Sequence, residues 1–250
     1  MEIRGAALVV GVDGGLGRAV ARRLRGEGCS LLVAGCGSGV EAFAQEVDGV
    51  GVVADLGSSG EVRRVVGLAS DVDVLVVLVG GGEPGGPGVL GLGVDELDRA
   101  VDLNLRAPLL LARLAGERMV GKGRGHVVFV TSLVAKRPGG ALDSATAFGV
   151  RGFALALRQE WEPLGVGVSC VNVGPVEEGE TADGVALPAG FRPKSFEDVA
   201  QAVVRAIRHD RAEVDVADPV MRAGVVFGQL APQAAARFNR IAGDDAAGER

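Results

Sequence analysis

Tyrosine is absent from this chain of 250 residues, so no phenol can act as acid, base or nucleophile anywhere in it. Histidine is nearly absent, with only His126 and His209. That excludes a multi-histidine metal site, and no Cys–His cluster has zinc spacing, so no metal is expected. The three cysteines, Cys29, Cys36 and Cys170, are odd in number and widely spaced, as fits free thiols in a reducing, cytoplasmic setting. Lysine is scarce as well, only Lys122, Lys136 and Lys194. A basic excess is missing, since 26 basic residues face 32 acidic ones for a net charge of −6. Without a basic stripe, a nucleic-acid partner is not expected. The longest strongly apolar run, Val72–Gly82, falls well short of the ~20 residues a membrane-spanning helix needs. The N-terminus leads directly into a strand-like segment rather than a secretory leader.

What is present is a core. A hydrophobic fraction of 48% with 23% charged residues suits one α/β domain over 1–250. The Val/Leu-rich runs Ala6–Val10, Ser30–Ala34, Gly49–Ala54, Asp73–Val79, His126–Thr131, Val166–Val173 and Glu213–Ala217 read as strands. Continuous apolar runs of this length suit a parallel sheet covered on both faces. Amphipathic segments at Leu16–Arg25, Glu61–Ala69, Val94–Met119, Ser144–Glu160 and Phe196–His209 alternate with them. The rhythm predicts a Rossmann-like, doubly wound, parallel seven-stranded sheet with helices on both faces. The long loops Gly80–Gly93 and Gly174–Ser195 follow strand ends, where open α/β sheets bind ligands. The segment from Pro219 to Ala242 reads as a mostly apolar helical piece that packs over the substrate side or forms an oligomer contact.

Between the first strand and first helix stands Gly11-Val12-Asp13-Gly14-Gly15-Leu16-Gly17. Glycines let the backbone turn tightly and approach a pyrophosphate, and the helix start offers free N–H groups and the positive end of its dipole. With this spacing the chain resembles the short-chain dehydrogenase/reductase family, and the resemblance runs in register from about Gly5 to Ala217. It implies an NAD or NADP site on Gly11, Asp13, Gly15, Leu16, Gly17, Cys36, Asp55, Leu56 and Gly80, with a dinucleotide-binding half over about 1–125 and a substrate side over about 126–250. Asp55-Leu56 matches the family's adenine-contacting acid, Asn104 its helix asparagine, and Ser132 its catalytic serine.

The resemblance breaks at the catalytic pair. The family opens its fifth helix with Tyr-x-x-x-Lys, where the lysine lowers the tyrosine pKa and holds the nicotinamide ribose while the tyrosine passes a proton. The stretch Val150-Arg151-Gly152-Phe153 sets a register that places Asp143 at the tyrosine and Ala147 at the lysine. Counting forward from Ser132 gives Ala145 and Gly149 instead, again without either residue. Asp143 has a short side chain, and an exposed unpaired aspartate is a poor acid at pH 7; its structural reading is an N-cap before Ser144-Ala145-Thr146. Val77-Leu78-Val79-Gly80 keeps only the glycine of the family's Asn-Asn-Ala-Gly motif, and Glu178 brings a negative charge near the nicotinamide position. Gly35-Cys36 supplies no ribose or phosphate selector after the second strand, while Asp13 disfavours an additional phosphate by charge.

Ser132 either hydrogen-bonds a substrate carbonyl or satisfies loop backbone. Asn104 either binds a carbonyl and water or makes a helix–helix hydrogen bond. A Ser132–His126 hydrolase pair is out of reach, at about 20 Å along one strand, and His209 is expected to end a helix, where a cation suits the dipole. Three functions follow: a non-catalytic or regulatory subunit of a ketone/alcohol oxidoreductase, an atypical NAD(P)H-dependent ketoreductase with a proton donor other than tyrosine, or a cyclase, dehydratase or isomerase on the same scaffold. The family's homo- and hetero-oligomers use its fourth and fifth helices. Here these carry Leu105, Leu109, Leu110 and Leu111 on one and Phe148, Phe153, Leu155 and Leu157 on the other.

Overall fold

The computed structural model describes residues 3, 5–69, 71–80, 88–176, 192–231 and 233. Strands β1 (Gly5–Val10), β2 (Cys29–Gly35), β3 (Val50–Val53), β4 (Val72–Leu78), β5 (Gly125–Ser132), β6 (Val166–Val173) and β7 (Glu213–Val216) form one sheet of order 3-2-1-4-5-6-7. All pairings are parallel. The order reverses between β1 and β4, and the crevice at such a switch point is the ligand site of this architecture. The Val-rich strands suit burial on both faces: Val9, Val76, Val128 and Val171 face one layer, and Leu8, Leu75, Phe129 and Cys170 the other.

The first layer is α1 (Gly15–Gly26), α2 (Val40–Glu46) and α7 (Phe196–Arg208). Helix α7 starts at a capping box in which Ser195 Oγ accepts from Asp198 N–H and the Asp198 carboxylate accepts from Ser195 N–H, and His209 caps its end as expected. Helix α2 is missing from the sequence expectation; its single buried turn, Val40, Phe43 and Ala44, is too short for a periodicity to register.

The opposite layer is α3 (Ser59–Leu68), α4 (Val94–Val101), α5 (Ala107–Lys122) and α6 (Ala141–Trp161). The single helix expected over Val94–Met119 is interrupted by a π turn, Asp102–Arg106. Pro108 explains it. Proline has no N–H for the carbonyl of Asn104 four residues back, and its ring crowds that carbonyl. The ladder widens instead, and Ala107 N–H bonds Asp102 O. Within α5, Gly116 receives the ring of Trp161, which a Cβ at that position would overlap. Helix α8 (Pro219–Leu230) begins at Asp218, whose carboxylate accepts from Val220 N–H. The rest of the expected C-terminal piece, and most of the loops after β4 and β6, including Glu178, lie outside the described residues.

Candidate active site

The cradle is built by close approach. Gly11 follows β1 at φ +97°, a left-handed conformation that favours glycine. A Cβ on Gly17 would overlap Gly11 O, so this glycine lets the first turn of α1 press against the end of β1. A Cβ on Gly15 would run into the Phe196 ring, so that glycine makes room for α7. Arg18 N–H makes the first helical bond, to Gly14 O. The N–H groups of Gly15, Leu16 and Gly17 precede it and belong to the helix terminus that suits a pyrophosphate. These residues fit a dinucleotide's phosphates.

Asp13 leaves the loop sideways. Its carboxylate accepts from Cys36 N–H at 3.1 Å and Gly37 N–H at 2.6 Å, just past the end of β2. A Cβ built on Gly35 would lie 2.5 Å from Asp13 Oδ2, so the carboxylate fills the space a side chain at the end of β2 would take. Asp55, after β3, accepts Gly57 N–H at 3.0 Å and pairs with the Arg99 guanidinium of α4 at 2.7 and 3.0 Å. The Arg99 hydrogen bond, seconded by Gly57 N–H, holds the Asp55 carboxyl below the usual carboxylate range. The expected adenine-contacting acid is thus already paired with a cation. Leu56 is half-buried beside it, Cys36 is exposed, and Gly80 turns the chain after β4 at φ +119°.

Ser132 ends β5, exposed and in register with Val173. Its Oγ accepts from Val134 N–H at 3.3 Å. Asn104 lies in the π turn, which packs against α6 through Leu105 and Gly149. No hydrogen bond engages its side chain among the described residues, which corrects the helix–helix bond entertained from sequence. A π turn at such a position is a recurrent mark of functional sites.

Asp143 is not an N-cap. Helix α6 starts at Ala141 with Gly140 as its cap. The Pro138-Gly139-Gly140 stretch ends the preceding loop, so Asp143 sits in the first turn, where its charge suits the dipole. Ser144 Oγ instead accepts Gly139 N–H at 2.9 Å. Asp143 is exposed, while Ala147, one turn on, is 4% exposed.

Lys136, four residues past Ser132, is engaged elsewhere. Its ammonium lies 2.8 Å from the Asp215 carboxylate and 3.5 Å from Glu213. Arg151 of α6 grips Glu213 at 2.7 and 3.0 Å, and Asn172 donates to Asp215 at 2.8 Å. Burial alone pushes the Glu213 carboxyl up, but Arg151, Lys136 and Asn172 outweigh it and bring it below the usual range. This network ties β7 to α6 and went unnoticed in the sequence, because its members are spread from 136 to 215.

His126 Nε2 lies 2.8 Å from Ser169 Oγ, and Nδ1 lies 3.9 Å from Asp210. The triplet mimics a hydrolytic triad but is wired differently. Ser169 Oγ donates to Arg211 O at 2.6 Å, so it accepts from His126 Nε2–H. With His126 2% and Ser169 0% exposed, no substrate reaches either. Burial pushes His126 down to about 4.

An apolar groove of about 810 Å³ runs along the π turn, α5 and α6, lined by Leu105, Leu109, Leu110, Phe153, Leu157 and Trp161. None of the candidate site residues lines it. Leu111, expected on the same face, is 0% exposed in the core, because the helical period turns it toward the sheet with Ala107 and Ala115. Among the described residues no helix is long and apolar enough to cross a membrane.

A family model described as short chain dehydrogenase matches residues 5–185. The cyclic-di-GMP-binding biofilm dispersal mediator protein of Escherichia coli K12 is 29% identical over 68% of this chain and 72% of its own. The 3-oxoacyl-[acyl-carrier-protein] reductase FabG of Rickettsia conorii is 27% identical over 70% and 74%. Among solved structures, a short chain dehydrogenase/reductase family protein superposes with TM-score 0.79 at 28% identity, covering 86% of this chain and 97% of that one. BdcA in complex with NADPH gives 0.74 at 25% identity, covering 85% and 92%.

Proposed function

The chain belongs to the short-chain dehydrogenase/reductase family, and from that premise we propose that it is a dinucleotide-binding member that does not itself turn over a carbonyl. It serves as a non-catalytic or regulatory subunit beside an active member in a ketone/alcohol oxidoreductase of the cytoplasm. The observation that carries this reading is the absence of any tyrosine from the sequence. In the register set by Val150–Phe153 the family's proton donor corresponds to Asp143, an exposed first-turn carboxylate, and its ribose-holding lysine to Ala147, a buried methyl. The register counted from Ser132, Ala145 and Gly149, supplies neither group either. Lys136 does not replace that lysine, being held by Asp215 and Glu213.

A bound nicotinamide dinucleotide supplies a hydride. The chain's part is to hold its pyrophosphate at Gly11 and the start of α1, and to face its ribose end with Asp13. The groove along α5 and α6 supports the subunit role: burying apolar side chains such as Leu109, Leu110 and Phe153 against a similar face stabilises association. Ser132 favours a second reading, an atypical ketoreductase. Its Oγ accepts from Val134 N–H, which leaves the hydroxyl proton to polarise a substrate carbonyl.

Co-expression with an active family member, followed by size-exclusion chromatography with light scattering, separates these. The subunit reading expects a stable mixed complex that Leu109→Asp disperses. A homo-oligomer that reduces ketones unaided supports the second reading and contradicts the first.

A further inference from the structure

The end of β2 is where an open α/β dinucleotide site chooses its cofactor. An acid there hydrogen-bonds the adenosine ribose 2′-hydroxyl, whereas a cation there accommodates a 2′-phosphate. This chain has Gly35 and Cys36 at that place, and neither carries a carboxylate or a cation. From the geometry we infer that Asp13, reaching across from the glycine loop, is the ribose selector, and that the adenosine end takes NAD(H) rather than NADP(H). The inference rests on the dinucleotide reading above and deepens it.

Three observations converge. First, the Asp13 carboxylate stands where a side chain at the end of β2 would project, 2.5 Å from a Cβ built on Gly35. A side chain at Gly35 and the present Asp13 are mutually exclusive occupants of one space. Second, each of its oxygens accepts one backbone N–H, Oδ2 from Cys36 and Oδ1 from Gly37. A carboxylate offers about four lone-pair sites in all, so both oxygens keep capacity for a ribose hydroxyl. The two bonds also fix the carboxylate, so little side-chain freedom is lost on binding. Third, those same two N–H groups are the donors a 2′-phosphate would seek at this turn, and they are taken by a negative charge.

The nearby cations do not reverse this. Arg18 Nε donates to Val12 O and its guanidinium lies over the Phe43 ring, with Nη2 2.9 Å from a Cβ built on Gly39. That is at the start of α2 rather than on the Cys36 and Gly37 N–H groups that Asp13 takes. Arg99 is paired with Asp55 through two contacts. A 2′-phosphate at the Cys36–Gly37 turn therefore meets like-charge repulsion from Asp13.

Isothermal titration calorimetry of the full chain with NADH, NADPH, 5′-ADP and 2′,5′-ADP tests the assignment without any turnover. Wild type should bind NADH at least about tenfold more tightly than NADPH, a difference of about 1.4 kcal/mol, and 5′-ADP should outbind 2′,5′-ADP in the same sense. Asp13→Asn keeps an acceptor for the turn but removes the charge, and should cut the ratio to about threefold or less. Asp13→Ser should do the same, and both variants should keep the wild-type Trp161 fluorescence. Equal or tighter NADPH binding by wild type, or a ratio unchanged in folded variants, overturns the Asp13 assignment while leaving dinucleotide binding intact. Binding of none of the four overturns the dinucleotide reading and the assignment with it.

Discussion

His126 should make the fold selectively sensitive to mild acid. The ring sits 2% exposed, donates to Ser169 and is pushed from its ordinary 6.5 to about 4 by burial, with Arg158 opposing protonation and Asp210 favouring it. The folded value lies below the unfolded one. As pH falls from 6.5, the unfolded chain takes up a proton that the folded chain refuses until about pH 4. The unfolded state therefore binds more protons throughout that window, and stability must fall with pH across it. Linkage places the loss at about 2 kcal/mol by pH 5 and about 3 kcal/mol by pH 4. The perturbation is His126→Gln, whose amide can still donate to Ser169 but does not titrate. Urea unfolding followed by circular dichroism from pH 7 to 4 gives both stabilities. Any packing cost of the substitution is the same at every pH, and the carboxylates are common to both chains. The wild-type advantage over the variant should therefore shrink by about 3 kcal/mol between pH 7 and pH 4. Parallel pH profiles, or an NMR titration of His126 near 6.5, would refute the reasoning and reopen the question of a charged, triad-like histidine.

Glu213→Gln leaves Arg151 and Lys136 short of a counter-charge and should cost about 2 kcal/mol at pH 7. Because the folded Glu213 value lies below the ordinary one, the carboxylate's contribution is present above the unfolded glutamate value. The gap to wild type should close as pH falls through the folded value, and a gap independent of pH would contradict the network. Gly116→Ala puts a Cβ into the Trp161 ring. It should destabilise by about 1–3 kcal/mol and shift the fluorescence of this single tryptophan, a signal that unaltered emission at a wild-type melting temperature would deny.

Most of the sheet was legible because its strands are continuous Val/Leu runs whose ends coincide with glycine or charge. The cradle was legible because Gly11 and Gly17 are required by one local close approach. What stayed hidden depends on contacts distant in sequence. Nothing around Asp13 announces that its carboxylate lies beside Gly35, and the chain reads as lacking a selector when the acid arrives from another loop. The network of Lys136, Arg151, Asn172, Glu213 and Asp215 is likewise spread over the loop after β5, α6, β6 and β7. The π turn at Asn104 did have a local signal, Pro108 four residues on, but the apolar period of the helix masked it. The cap was misplaced by three residues, Asp143 for Gly140, because Asp is a favoured N-cap and the Gly139-Gly140 pair gave no competing cap side chain.

The central claim is that the chain binds a dinucleotide but lacks the group that completes carbonyl reduction. Deuteride transfer from 4-deuterated NADH to a panel of ketones, read by mass spectrometry on purified wild type and on Asp143→Tyr/Ala147→Lys, tests it most directly. The account predicts no transfer above buffer from wild type under conditions where calorimetry shows the cofactor bound, and labelled alcohol from the double variant. Labelled alcohol from the wild-type chain would contradict it.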